Sequence, residues 1–234
     1  MVNPILCAVD TTDIQRAEEL ALALKGQVGG LKLGLEFFTA HGRPGVEIIA
    51  AHKIPIFLDL KFHDIPNTVA GAIRASAGIK SFMMTVHTSG GKAMMKAAIE
   101  ASMEVAAITG KERPLIVGVT MLTSLDDADM ASIGMTGAMD DQVRRLADLA
   151  RESGLDGIVC SPREIAMLRR HCGNDFVLVV PGIRPEGNDA GDQKRVMTPK
   201  EALAAGASYL VIGRPVTGAA KPLDAAKAII GSLT

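Results

Sequence analysis

The sequence predicts a single-domain α/β fold, a (β/α)8 TIM barrel spanning residues 1–234. Three observations carry that expectation. Eight short apolar runs recur along the chain, a helical pattern follows each, and no Pro/Ser-rich or low-complexity stretch divides them. Apolar strands alternating with helices mark a parallel sheet covered on both faces. Eight such units in a chain of this size point to a closed barrel. The competing architecture, a doubly wound open sheet, normally carries a glycine fingerprint after its first strand, and "AVDTTD" at 8–13 is not one.

In chain order, the expected strands are "ILCAV" (5–9), "GLKLG" (30–34), "IPIFLDL" (54–60) and "SFMMTVH" (81–87). They continue with "LIVGVT" (115–120), "GIVCS" (157–161), "FVLVVP" (176–181) and "YLVIG" (209–213). Helical segments between them include 13–26, 66–78, 90–104 and 139–154, several closing on glycine, the usual C-terminal stop. Two longer connections, 121–138 and 182–197, follow the fifth and seventh strands. In a barrel those connections lie on the catalytic face, where long loops often serve as lids.

Composition narrows the function classes. The 234 residues are 48% apolar and carry 25 basic against 26 acidic side chains, a formal charge of -1. No basic excess calls for nucleic acid. One Tyr, six Phe and no Trp leave little for base-stacking platforms. The odd set Cys7, Cys160 and Cys172 reads as reduced thiols of a cytoplasmic protein rather than disulfides or a metal site. The start "MVNPILCAVD" lacks the basic region of a signal peptide. No run approaches the ~20 apolar residues of a membrane span, so no membrane partner is expected.

The chemistry concentrates in "IFLDLKFHDIPNT" (56–68), where an apolar strand ends in Asp59, Lys61 and Asp64. Residues two apart on a strand share a face, so Asp59 and Lys61 point together into the barrel mouth. Asp10 ends the first strand, and Lys32 lies in the second between Leu31 and Leu33. A lysine in a buried strand is costly unless paired. The reading is therefore a cluster of two lysines and two or three aspartates at the C-terminal rim, where barrel enzymes keep their chemistry. Carboxylates on either side favour the charged form of Lys61. That suits a fixed cation and proton donor, not a Schiff-base nucleophile, which needs an apolar pocket or cationic neighbours. Asp64 precedes Pro66 at a helix start, so its spacing alone fits a helix-start carboxylate equally well. His63 and His87 show no recognised ligand spacing and read as packed residues.

A phosphate site is expected at the other side of the mouth. "PGIRP" (181–185) follows the seventh strand and "IGRP" (212–215) follows the eighth, opening a helix. Barrels commonly bind phosphate there. Gly213 lets backbone amides approach, and Arg214 adds a charged fork. Arg184 is either a second cation for the phosphate or a residue that holds the lid.

Together these residues resemble the orotidine 5'-phosphate decarboxylase family. The carrying motifs are "AVD" (8–10), "LKLG" (31–34), "DLKFHDIPNT" (59–68), "GVTMLTS" (118–124), "PGIRPEGNDAGDQKRVMTP" (181–199) and "VIGRPVT" (211–217). They run in order along nearly the whole chain. The resemblance implies decarboxylation of orotidine 5'-phosphate to UMP, the last step of de novo pyrimidine synthesis, with no cofactor and no metal. It implies that Lys61 donates a proton to C6, that Asp59 lies near the substrate carboxylate, and that Lys32 and Asp10 complete the charge array and touch the ribose hydroxyls. Thr123 would bond the pyrimidine amide, while Arg184, Gln193, Gly213 and Arg214 would hold the phosphate. It further implies a homodimer with shared active sites, Asp64, Ile65 and Thr68 entering from the partner subunit. The alternative is a magnesium-dependent sugar-phosphate decarboxylase or synthase of the same broader family, which shares the aspartate–lysine–aspartate pattern but has no need of Thr123 or Gln193. A third reading, a silent phosphate-binding module, gives the buried charges no role.

Overall fold

A computed structural model of the chain describes residues 3–79, 81–185 and 197–233. Its strands are β1 (Ile5–Ala8), β2 (Gly30–Gly34), β3 (Ile56–Phe62), β4 (Ser81–His87), β5 (Leu115–Val119), β6 (Gly157–Val159), β7 (Val177–Val180) and β8 (Tyr209–Ile212). The α-helices are α1 (Ile14–Leu24), α2 (Leu35–Ala51), α3 (Pro66–Ala75), α4 (Gly91–Thr109), α5 (Asp127–Ser132), α6 (Met139–Glu152), α7 (Ile165–Cys172), α8 (Pro199–Ala204), α9 (Arg214–Thr217) and α10 (Pro222–Gly231). The strands pair in sequence order, all parallel, and close into a barrel where Ile5, Leu6 and Cys7 of β1 meet Leu210, Val211 and Ile212 of β8.

All eight expected strands form where the sequence places them, β2 and β4 with the expected bounds and the other six with ends displaced by one or two residues. The largest displacement matters for function: β3 begins at Ile56 and runs on through Lys61 to Phe62, past the expected end at 60. The connection at 121–138 is not wholly irregular. It contains α5, started by a capping box in which Asp126 and Asp129 each accept the other's backbone N–H.

Strand parity explains both the unbroken apolar runs and the position of the charges. Ile5, Cys7, Ile56, Leu58, Ile116, Leu178, Val180, Leu210 and Ile212 pack outward with the helices. Leu6, Ala8, Phe57, Met83, Val117, Val179 and Val211 form a separate cluster inside the barrel. With both faces buried, alternate residues must all be apolar. Two residues farther along the inward face lie Asp10 after Ala8, Asp59 after Phe57 and Thr85 after Met83. Lys32 occupies the inward place between the outward-packed Leu31 and Leu33. The polar mouth is thus the top layer of an otherwise apolar interior.

The helices seal the outer layer. On α6, Met139, Val143, Leu146, Ala147 and Ala150 are buried at helical spacing while the opposite side carries charges. Asp13 caps α1 by accepting from the N–H groups of Gln15 and Arg16. All three cysteines are free thiols, Cys7 and Cys160 buried and Cys172 half-buried. Burial, with the Asp10 charge adding to it, pushes the Cys7 thiol up to about 12, so it is a packing group at neutral pH. Among the described residues, no helix is long and apolar enough to cross a membrane.

Candidate active site

A cavity of about 510 Å³ opens at the C-terminal ends of the strands. Its floor is apolar: Ala8, Phe57, Val119, Val159, Val179 and Val211. Its walls carry Asp10, Lys32, Glu36, Asp59, Lys61, Thr123, Arg184, Gly213 and Arg214. Eight of the twelve residues singled out from sequence therefore meet in one pocket: Asp10, Lys32, Asp59, Lys61, Thr123, Arg184, Gly213 and Arg214. Glu36, just past β2, was not anticipated, since a single acid in the first turn of a helix reads as an ordinary dipole partner.

On one side of the pocket the charges form a chain. Lys32 Nζ lies 3.1 Å from Asp10 Oδ1 and 3.6 Å from Asp59 Oδ2. Lys61 Nζ lies 2.8 Å from the same Asp59 Oδ2. Asp59 is 7% exposed, yet its other oxygen, Oδ1, accepts the Thr85 hydroxyl at 3.0 Å. Burial by itself would raise the Asp59 carboxyl. The Lys32 and Lys61 ammoniums outweigh it, helped by the Lys61 and Thr85 hydrogen bonds, and hold the group below the usual carboxylate range. Asp59 is therefore an anion at neutral pH, with all its hydrogen-bonding partners donors. Gly34 makes room for this arrangement: a Cβ there would stand 2.8 Å from Lys32 Nζ and 3.4 Å from Asp10 Oδ1.

The opposite side is cationic. Gly213 precedes α9, and Arg214 is that helix's first residue. Arg184 sits where the connection after β7 begins. Its backbone N–H donates to Met197 O at 3.0 Å, and its Nη1 donates to Ile183 O at 2.9 Å. The two ends of that connection are thus tied together, the Ile183–Met197 bridge included. Arg184 thus braces the base of the loop and lines the pocket. Gln193 lies outside the described residues.

Asp64, Ile65 and Thr68 do not enter this cavity. All three are exposed, Ile65 at 67%. Asp64 stands directly before α3, whose cap residue is Ile65, without a side-chain cap bond, and Asp64 Oδ1 accepts from Ile65 N–H at 2.6 Å. His63 and His87 pack together with ring centroids 5.3 Å apart, and neither lines the pocket. Burial, then the neighbouring His63 and Lys61, lowers the His87 imidazole below its ordinary value. Among the described residues no group of three or more His, Cys, Asp or Glu side chains is placed to hold a metal ion.

An apolar-floored barrel mouth with a lysine–aspartate array facing two arginines defines the class: a (β/α)8-barrel enzyme whose pocket suits an anionic substrate. Comparison with known proteins gives the particular family. The model of the Orotidine 5'-phosphate decarboxylase / HUMPS family matches residues 3–229, and the chain belongs to that family. It is 53% identical over 233 residues to an orotidine 5'-phosphate decarboxylase of Paramagnetospirillum magneticum, covering 100% of this chain and 99% of the relative. It is 51% identical over 232 residues to the protein of that name from Moorella thermoacetica, covering 99% and 92%. Among solved structures, the orotidine 5'-phosphate decarboxylase of Lactobacillus acidophilus superposes with a TM-score of 0.87 at 35% identity, covering 99% of each chain.

Proposed function

We propose that this chain decarboxylates orotidine 5'-phosphate to UMP, the last step of de novo pyrimidine synthesis, with Lys61 as the cation that stabilises and then protonates the reacting carbon. The observation that carries this reading is the engagement of Asp59: one oxygen holds the Thr85 hydroxyl, the other meets Lys61 Nζ at 2.8 Å and Lys32 Nζ at 3.6 Å. Both lysine ammoniums are thereby fixed at the cavity wall before substrate arrives. Charge preorganised in this way stabilises a transition state without reorganisation during the reaction.

The bond between C6 and the carboxylate breaks, CO₂ leaves, and the electron pair stays on C6. Lys61 faces that developing charge, gives C6 a proton, and is reprotonated from solvent. Asp59 keeps the ammonium in place and lies beside the departing carboxylate. Asp10 and Lys32 take the ribose hydroxyls, and Thr123 takes the pyrimidine amide. Gly213, Arg214, Arg184 and Gln193 take the phosphate, whose binding energy, remote from the bond that breaks, organises the site. The protein works as a cytoplasmic homodimer, in which Asp64, Ile65 and Thr68 of a second copy complete each pocket. Their exposure beside the rim is what such a role requires.

The test is the absorbance change on mixing the pure protein with orotidine 5'-phosphate in the presence of EDTA. Full turnover to UMP is expected. Activity lost to the chelator and restored by magnesium would replace this reading with the metal-dependent sugar-phosphate chemistry, and nucleotide binding without turnover would leave only a phosphate-binding module.

A further inference from the structure

β3 and β4 do not pair residue for residue. Leu58 faces Met84 and Phe62 faces Val86, so the three residues from Asp59 to Lys61 stand opposite the single residue Thr85. The excess length is taken up as a bulge, and Lys61 adopts φ 51°, the left-handed region that side chains disfavour. A bulge removes a backbone group from the ladder, and a buried N–H needs another partner. Here the partner is a side chain: Lys61 N–H donates to Thr85 Oγ1 at 2.8 Å. Because a backbone N–H can only donate, the hydroxyl proton is directed elsewhere, to Asp59 Oδ1 at 3.0 Å. Asp59 Oδ2 in turn holds Lys61 Nζ at 2.8 Å. The result is a closed ring from the Lys61 backbone, through Thr85 and Asp59, back to the Lys61 ammonium. Thr85 itself is 0% exposed.

We propose that Thr85 is a positioning residue: its hydroxyl clamps the Lys61 bulge and orients the Asp59 carboxylate, and so sets where the Lys61 ammonium stands in the pocket. Valine has nearly the same shape and would fill the space between Met84 and Val86, so side-chain volume alone does not select a hydroxyl here. One donor, the Lys61 N–H, and one acceptor, the Asp59 carboxylate, meeting at a single buried hydroxyl do.

The inference rests on the decarboxylase reading, so the wild-type chain is assayed first; absence of turnover there would refute that reading itself. Thr85→Val and Thr85→Ser are then compared with it for kcat, for UMP affinity by calorimetry, and for thermal unfolding. Small misplacement of a reacting group costs up to about 100-fold, so Thr85→Val is expected to lose roughly 10- to 100-fold in kcat. UMP affinity should stay within about threefold, and Thr85→Ser should recover kcat to within about threefold of wild type. Wild-type kcat in Thr85→Val, or a parallel fall in kcat and UMP affinity, or a serine variant as slow as the valine one, would overturn the proposal. Should Thr85→Val not fold, Thr85→Cys takes its place, filling the volume with a weak hydrogen-bonding group. It must be slow where the serine variant is fast, and equal rates for the two would refute the clamp.

Discussion

Asp59 is the residue on which the site turns, because it is buried and still charged. Its carboxyl is held below its unfolded value of about 4, and such a group contributes stability above that value and loses it as pH falls through the folded value. Unfolding free energy should therefore drop below about pH 4, and Asp59→Asn should flatten that drop in urea titrations at pH 7 and pH 3; equal acid-side losses would show that the lysines do not hold the charge. Arg214 belongs to the same scale. Charged hydrogen bonds contribute about 1.5–3 kcal/mol, so Arg214→Ala should weaken UMP binding by roughly 10- to 100-fold, measured by calorimetry. At this scale the sequence was informative wherever parity applied. Asp10, Lys32 and Asp59 follow inward-facing residues at intervals of two, or lie between outward ones. A lysine flanked by Leu31 and Leu33 must turn to the barrel mouth, where its charge finds carboxylates. Lys61 was placed correctly for an incomplete reason, since the strand it extends is bulged there, with positive φ. Nothing in "DLKFHD" encodes that departure, because it arises from the mismatch with β4. Thr85 escaped notice for the same cause: its partners lie 24 and 26 residues away.

Among the elements, the turn from β3 into α3 carries the most consequence. It follows Lys61 of β3, which lines the pocket, and leaves Asp64, Ile65 and Thr68 outside it, exposed. If a second copy receives them, each active site draws on two chains. Mixing Lys61→Ala with Asp64→Ala under subunit exchange should then restore activity to about one quarter of wild type, since half the dimers are mixed and each has one intact site. No recovery would mean that each chain builds its site alone. The connection after β7 is legible at its ends only. The Arg184–Met197 hydrogen bond fixes them, while the expected role of Gln193 falls in the part not described. Strand existence followed from apolar runs and strand ends did not, because the last residues of a run pair only if the neighbouring strand reaches as far.

Across the whole molecule, chemistry and stability occupy opposite ends of the barrel. At the N-terminal end, Arg169 of α7 gathers backbone carbonyls: Nη1 donates to Gly173, Asn174 and Phe176 at 2.7, 3.0 and 2.9 Å, and Nη2 to Gly206 at 2.6 Å. Arg169→Ala should cost about 2–4 kcal/mol, lowering the melting temperature by roughly 5–10 °C, with kcat unchanged at 25 °C. The barrel as a whole was the most legible feature, because eight two-faced apolar strands admit few other closures. The central claim is that the Lys61 ammonium, fixed by Asp59 at the wall of the pocket, supports the charge left when CO₂ departs. Proton transfer contributes about 10²–10⁴ and preorganised charge about 10²–10³ in rate. The most direct measurement is therefore kcat of a folded Lys61→Ala variant with orotidine 5'-phosphate: a loss of at least ~10⁴-fold is predicted, and turnover within about tenfold of wild type would contradict the account.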